Sequence, residues 1–365
     1  MNDTRGRIAG LREAMAQADL SALLITEPCN RRYLTGFTGS AGLLLVLGDR
    51  LHLLVDSRYY EQVPREAPDL QLERVGYQPY PRLAEILKER GIAALGFEPE
   101  HVTVEGLRKM QEKLPGVAWK PVIGLASDLR TRKSAAEVAQ IRRAVDLADL
   151  AMEEAYRVAR PGMSERNLAW QLEVFMRERG ADALAFDIIV AAGENGALPH
   201  HRASGRIIGE GEPIVVDMGC VVDGYCSDLT RTFSLGPAAD SDYDRVFAIV
   251  DAANRAAVEG LIPGMTGKAG DALARDLIVA AGYGDQFGHS LGHGVGLAVH
   301  EGPRLSALAD DVVLPAGAVV TVEPGIYLPG RFGVRVEDMV LLRDNGAELL
   351  TRVARPSVLP LAVQV

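Results

Sequence analysis

The stretch IVVDMGCVVDGYCSDLTRTF, residues 214–233, decides how the second half of this chain folds. Asp223-Gly224 is a two-residue hairpin signal, because type I′ turns need positive φ at both central positions. The β-branched and aromatic residues on either side read as two antiparallel strands. With Asp223 and Gly224 as the turn, Asp217 faces Thr230 and Asp228 faces Gly219. The two aspartates then share one face as diagonal neighbours, about 7–8 Å apart at ideal geometry. Side chains leaning together, or a bulge, would let them share a metal ion. Two solvated carboxylates are the plain alternative. Asp217 follows the apolar run IVV, however, where an unpaired carboxylate is costly.

A second hairpin repeats the theme. AVVTVEPGIYL (318–328) and GVRVEDMVLL (333–342) are strand-like and joined by PGRFG. A turn centred on Gly330 sets Glu323 opposite Glu337, and like charges directly opposed are destabilising. Something positive is needed there, either Arg335 or a cation. Between the hairpins lies HSLGHGVGLAVHE (289–301), where glycines flank His293 and leave space for close approach; His300 follows seven residues later. His289 reads as a supporting residue. LPHH (198–201) brings His200 and His201 just ahead of the first aspartate strand.

Two Asp, two Glu and one His form an oxygen-rich donor set. One divalent ion would be overcharged by four carboxylates, whereas two ions sharing bridging carboxylates neutralise them. Such donors suit Mn²⁺, Co²⁺ or Zn²⁺. Cys220 and Cys226 read as small core residues. Two ions about 3.5–4 Å apart hold a bridging hydroxide and polarise a carbonyl, the equipment of hydrolysis. No Walker A loop, GxSxG elbow, HExxH or strand-borne GxGxxG is read in the sequence.

Outward from this region the chain shows a repeat. PGMS (161–164) and PGMT (263–266) lie 102 residues apart, each opening a helical stretch that closes on Gly180 or Gly282. That spacing predicts two similar α+β halves with a cleft between them. Upstream, Ser134 and Glu137 form a capping box. Val138, Ile141, Val145, Ala148 and Met152 follow as one apolar stripe on a long helix that ends at Arg160-Pro161-Gly162. Residues 1–125 alternate helix and strand, with a hairpin from LLLVL (43–47) and LHLLV (51–55). The expectation is an α/β domain over 1–125 and a larger α+β domain over 126–365.

Composition sets the outer bounds. The length of 365 residues suits two domains, and 48% hydrophobic content excludes wholesale disorder. A net charge of −10 argues against nucleic acid or an anionic membrane surface as partner. Three cysteines are too few for a disulfide scaffold and point to a reducing cytoplasm. MNDTRGRIAG carries charge with no apolar stretch behind it, so no secretory leader is expected. No apolar run is long enough for a membrane span.

VVDMG with SDLTRTF, GHGVGLAVHE, VEPGIY and VRVED together resemble the five signature segments of the pita-bread metallopeptidases. That group includes aminopeptidase P, prolidase and methionine aminopeptidase. The resemblance covers essentially the whole chain. It implies a creatinase-like N-terminal α/β domain and a pita-bread catalytic domain with a pseudo-twofold internal repeat. It also implies two divalent metal ions held by Asp217, Asp228, His293, Glu323 and Glu337, with Mn²⁺ first and Co²⁺ or Zn²⁺ as alternatives. Asp228 and Glu337 would bridge. Glu323 would double as general base, His200 and His300 would hold the substrate and its tetrahedral intermediate, and Arg335 would lie on the substrate side. Met218 and Ala298 depart from the commoner residues, and neither is a ligand.

The resemblance further implies a homodimer, with the N-terminal domain closing the neighbour's site, acting on proline-containing peptides. NRRYLTGFTGSAG (30–42) and VDSRYYEQ (55–62) resemble aminopeptidase P segments more than prolidase ones, so Xaa-Pro aminopeptidase is expected ahead of Xaa-Pro dipeptidase. Arg31, Arg32 and Arg58 could instead clamp a substrate carboxylate. A metal-free binding module, or a creatinase-like hydrolase of non-peptide C–N bonds, would show eroded ligands, and none is eroded.

Overall fold

The computed structural model describes residues 4–361, which divide into two compact units between Arg130 and Thr131. The first unit is built on a six-stranded mixed sheet. From one edge its strands run Gln71–Arg74, Leu51–Val55, Leu43–Leu47, Ala22–Ile25, Ala94–Phe97 and Ala118–Pro121. The expected hairpin is present, with Val46 paired to Leu51 across the Gly48-Asp49 turn. Helices Thr4–Gln17, Tyr80–Glu89 and Val104–Lys113 accompany the sheet, and Leu24, Leu45, Leu54, Leu83 and Ile86 are buried in its core. The edge strands Gln71–Arg74 and Ala118–Pro121 are short and largely exposed, so they lack the apolar signature that marks the central strands.

Arg31 does not clamp a carboxylate. It is buried and donates to the Gly39 and Gly42 carbonyls at 2.8 and 2.9 Å, which fixes the loop after helix Pro28–Thr35. Arg58 is more exposed and forks onto Asp56.

The second unit opens with helix Ala135–Val158 and the capping box of Ser134 and Glu137. Its predicted stripe, Val138 to Met152, is buried throughout. Burial of each Val, Ile or Met side chain in it is worth about 1.5–3 kcal/mol. The repeat is visible in three dimensions. Helices Glu165–Glu178 and Gly267–Ala280 start and stop 102 residues apart. Ser164 caps the Asn167 N–H, and Thr266 caps the Ala269 N–H. Gly162 and Gly264 both adopt positive φ, and their N–H groups donate to the Ile208 and Leu314 carbonyls.

Each half has its own core. Helices Ala135–Val158 and Glu165–Glu178 pack on strands Ile189–Ala192, Pro213–Met218 and Leu229–Leu235. Helices Tyr243–Gly260 and Gly267–Ala280 pack with strands Val319–Val322 and Asp338–Arg343. Among the described residues no helix is long and apolar enough to cross a membrane.

Candidate metal centre

Both hairpins take the register read from the sequence. Asp217 pairs with Thr230, and beyond the bend Val222 pairs with Tyr225. Asp223 and Gly224 sit at φ of 49° and 80°, as a type I′ turn requires. In the second hairpin Gly325 pairs with Arg335 and Val322 with Asp338, which leaves Glu323 and Glu337 opposed at the break between paired segments. There the two glutamate N–H groups leave the hairpin for other segments. The Glu323 N–H donates to Leu291 O at 2.8 Å and the Glu337 N–H to Thr230 O at 3.0 Å. These two bonds join the hairpins and the His293 strand into one site.

His293 stands on the short strand Gly292–Gly294. Its glycines serve a purpose other than space around the imidazole. A Cβ on Gly292 would lie 2.1 Å from Thr321 O, and one on Gly294 would lie 2.0 Å from Gly302 O. Neighbouring backbones approach too closely for any side chain. His293 Nδ1 lies 3.1 Å from Gly294 O, so donation from Nδ1 leaves the Nε2 lone pair facing the carboxylates. Nε2 is 3.4 Å from Glu323 Oε1 and 3.6 Å from Asp228 Oδ2.

Asp228, His293 and Glu337 each place a ligand atom within 4.8 Å of the others. Burial drives the electrostatics. It raises the carboxyls of Asp228 and Glu337 far above their ordinary range, and repulsion from neighbouring carboxylates adds to it. It raises Glu323 to about 8, against the pull of Arg335. It lowers His293 to about 4, so that imidazole is neutral at neutral pH. Asp217 keeps one oxygen, Oδ1, buried and without a hydrogen-bond partner among the described residues. Closely spaced buried carboxylates, an orphaned carboxylate oxygen and a neutral imidazole lone pair fit divalent cations.

Arg335 is only 3% exposed, and the protein occupies its donors. Nη2 donates to Asp217 at 2.6 Å, Nε to Thr230 Oγ1 at 3.1 Å, and Nη1 to Tyr327 Oη at 2.9 Å and Pro199 O at 3.3 Å. The side chain expected to face substrate therefore braces the centre from behind. His289 is the supporting residue foreseen, with Nε2 2.9 Å from Tyr327 Oη. His200 and His300 are both exposed. The His300 and His293 rings lie 4.3 Å apart. Partial burial lowers the His300 pKa; Asp217 opposes that shift and His200 reinforces it. His201 turns away and meets Glu165 at 2.9 Å.

Sequence reasoning passed over Tyr327, which links Arg335 to His289, and Thr230, which donates to Glu337 Oε2 at 2.7 Å. Tyr327 lies inside the GIYL strand of the second hairpin, so its place was readable although its role was not. Arg231 was missed as well. It is fully buried, donates to the Thr230 and Glu337 carbonyls and pairs with Asp338 at 2.8 Å. A further string, Gly288-His289-Ser290-Leu291-Gly292, fits the GxSxG spacing of serine hydrolases. It runs into the strand Gly292–Gly294 instead of turning from strand to helix, so it forms no nucleophile elbow.

An α/β domain ahead of a two-half domain, with closely spaced carboxylates and a histidine where the halves meet, points to a metallopeptidase. The chain belongs to metallopeptidase family M24, which it matches over residues 139–344, and residues 7–132 match the creatinase/prolidase N-terminal domain. It is 37% identical to a Xaa-Pro dipeptidase of Pyrococcus furiosus over 350 residues, covering 96% of this chain and 98% of that one. A solved Xaa-Pro dipeptidase from Bacillus anthracis superposes with a TM-score of 0.94 at 38% identity, covering 98% of this chain and all of that one. The X-Pro aminopeptidase from Thermotoga maritima superposes with a TM-score of 0.87 at 35% identity, covering 96% of this chain and all of that one. The fold is thus the expected creatinase-like α/β domain followed by a pita-bread domain, and the family implies divalent metal ions.

Proposed function

We propose that this protein is a Xaa-Pro peptidase whose two divalent ions, Mn²⁺ first among them, are held by Asp217, Asp228, His293, Glu323 and Glu337. The observation that carries the reading is the closure of two carboxylate hairpins around His293, with three buried carboxyls raised by burial. When bound, the ions supply a water of lowered pKa and polarise the scissile carbonyl. Glu323 accepts the proton of the attacking water on its carboxylate. His200 and His300, both exposed, donate to the oxygen that gains charge. Arg335 holds Asp217 in orientation, acting through it and not on substrate. The catalytic domain is assigned to residues 126–365, and the protein is proposed to work as a homodimer in the cytoplasm.

For substrate length the site favours the dipeptidase. Arg304 is exposed and pairs across the strand with His293, and its positive charge reaches both His293 and His300. A guanidinium so placed suits the carboxylate of a C-terminal proline. The Pyrococcus furiosus and Bacillus anthracis relatives carry the dipeptidase name. Aminopeptidase is the second reading, supported by the N-terminal segments and by the name of the Thermotoga maritima relative. Specificity constants for an Xaa-Pro dipeptide and the matching Xaa-Pro-Xaa tripeptide separate the two. The dipeptide should be preferred by about tenfold or more, roughly 1.4 kcal/mol of transition-state discrimination. Arg304→Met should erase that preference. A tripeptide preference would return the assignment to the aminopeptidase.

A further inference from the structure

Helix Glu165–Glu178 begins with a carboxylate that takes no part in the metal centre and is 0% exposed. Glu165 Oε1 accepts from the Ala192 N–H and the Asn195 amide, each at 2.9 Å. Its Oε2 accepts from the Ser204 N–H at 3.0 Å and the Ser204 hydroxyl at 2.7 Å, and lies 2.9 Å from His201 Nε2. Burial opposes ionisation, yet these bonds hold the carboxyl below its ordinary range. A fully buried charge survives only when its hydrogen bonds are complete.

All five contacts reach one segment, residues 192–204. Past Ala192, which ends the paired strand Ile189–Ala192, the segment is a 3₁₀ turn, Gly193–Ala197, followed by irregular chain, so from Gly193 onward it has no strand ladder to hold it. It carries His200. On one side of His200, the Pro199 carbonyl accepts from Arg335 at 3.3 Å. On the other side, His201 and Ser204 are tied to Glu165. The neighbours are pinned while His200 itself stays exposed.

The repeat shows that Glu165 is no relic of symmetry. Its counterpart 102 residues later is Gly267, where a Cβ would lie 2.1 Å from Arg304 O. The second half grips its histidine segment by other means. Asp271 accepts from the Leu291 N–H at 2.9 Å, and Arg275 donates to the Phe287 and His289 carbonyls at 2.9 and 2.6 Å. Each half thus has its own clamp on the loop that delivers its histidines.

We propose that Glu165 is a positioning residue for the peptidase reaction, its buried carboxylate fixing segment 192–204 so that His200 is presented to substrate. The inference rests on the assignment of His200 to that reaction. Its test is a double-mutant cycle in Mn²⁺-loaded full-length protein on an Xaa-Pro dipeptide, using Glu165→Gln, His200→Ala and the pair. Glu165→Gln sets an amide NH₂ among donors. kcat should fall about 10–100-fold with KM changed less than about threefold and metal content unchanged. In the His200→Ala background the same change should cost almost nothing further, because positioning acts through that imidazole. Amides of 192–204 should also exchange faster in ion-free Glu165→Gln. If that variant does not fold, Ser204→Ala removes only the hydroxyl's bonds, one to Glu165 and one from the Arg206 N–H, and should give a smaller kcat loss that likewise vanishes with His200→Ala. Additive losses would overturn the proposal alone. A His200→Ala enzyme with wild-type kcat/KM would overturn both the proposal and the role of His200.

Discussion

At the residue scale the centre depends on side chains whose charge state is set by burial. Glu323, raised to about 8, carries a proton at neutral pH until a cation displaces it. Cation binding should therefore release protons, and affinity should rise with pH up to about 8. Calorimetry in two buffers of different ionisation enthalpy measures that release; no proton release at pH 7 would contradict it. Glu323→Gln removes the proton acceptor. Turnover should fall about 10²–10⁴-fold. Metal content measured alongside separates lost chemistry from lost ligation. His300→Ala should lower kcat while the ions stay bound, since its neighbour His293 is the ring whose Nε2 faces the carboxylates. If His300→Ala emptied the site, the division of labour between these two histidines would be wrong.

At the scale of elements, strand Gly292–Gly294 has almost no room for added side chains. Gly292→Ala must push a Cβ against Thr321 O, displacing the strand that carries His293. The variant should lose bound metal and melt lower than wild type. Gly288→Ala, an exposed position with nothing within 4 Å of the added Cβ, should do neither. Equal metal content in both variants would refute the packing argument. The two hairpins were legible because turn chemistry fixes register. Asp223-Gly224 and Gly330 located the turns, and the positions of all four carboxylates followed by pairing. The long helix and its capping box were legible through periodicity and Ser134. Strands Gln71–Arg74 and Ala118–Pro121 were not, because exposed edge strands need no apolar pattern. Tyr327, Arg231 and Glu165 gain their roles only when distant segments meet, and local sequence has no signal for that.

For the whole molecule, the ion-free protein should be weakened by its own centre. A carboxyl whose folded pKa lies above its unfolded value contributes stability below the unfolded pKa and loses it as pH rises through the folded one. For Glu323 that window runs from about 4.5 to about 8, and Asp228 and Glu337 act in the same direction. The thermal midpoint of metal-stripped protein should accordingly fall from pH 5 to pH 8, while saturating Mn²⁺ should remove most of the fall. An ion-free protein that grew more stable over that range would contradict the burial argument. The most direct test of the account is a titration of metal-stripped protein with Mn²⁺, following hydrolysis of an Xaa-Pro dipeptide against ions bound per chain. Hydrolysis should be absent without metal and reach its plateau at two ions per chain. Full activity with only trace metal, or two bound ions with no Xaa-Pro hydrolysis, would contradict it.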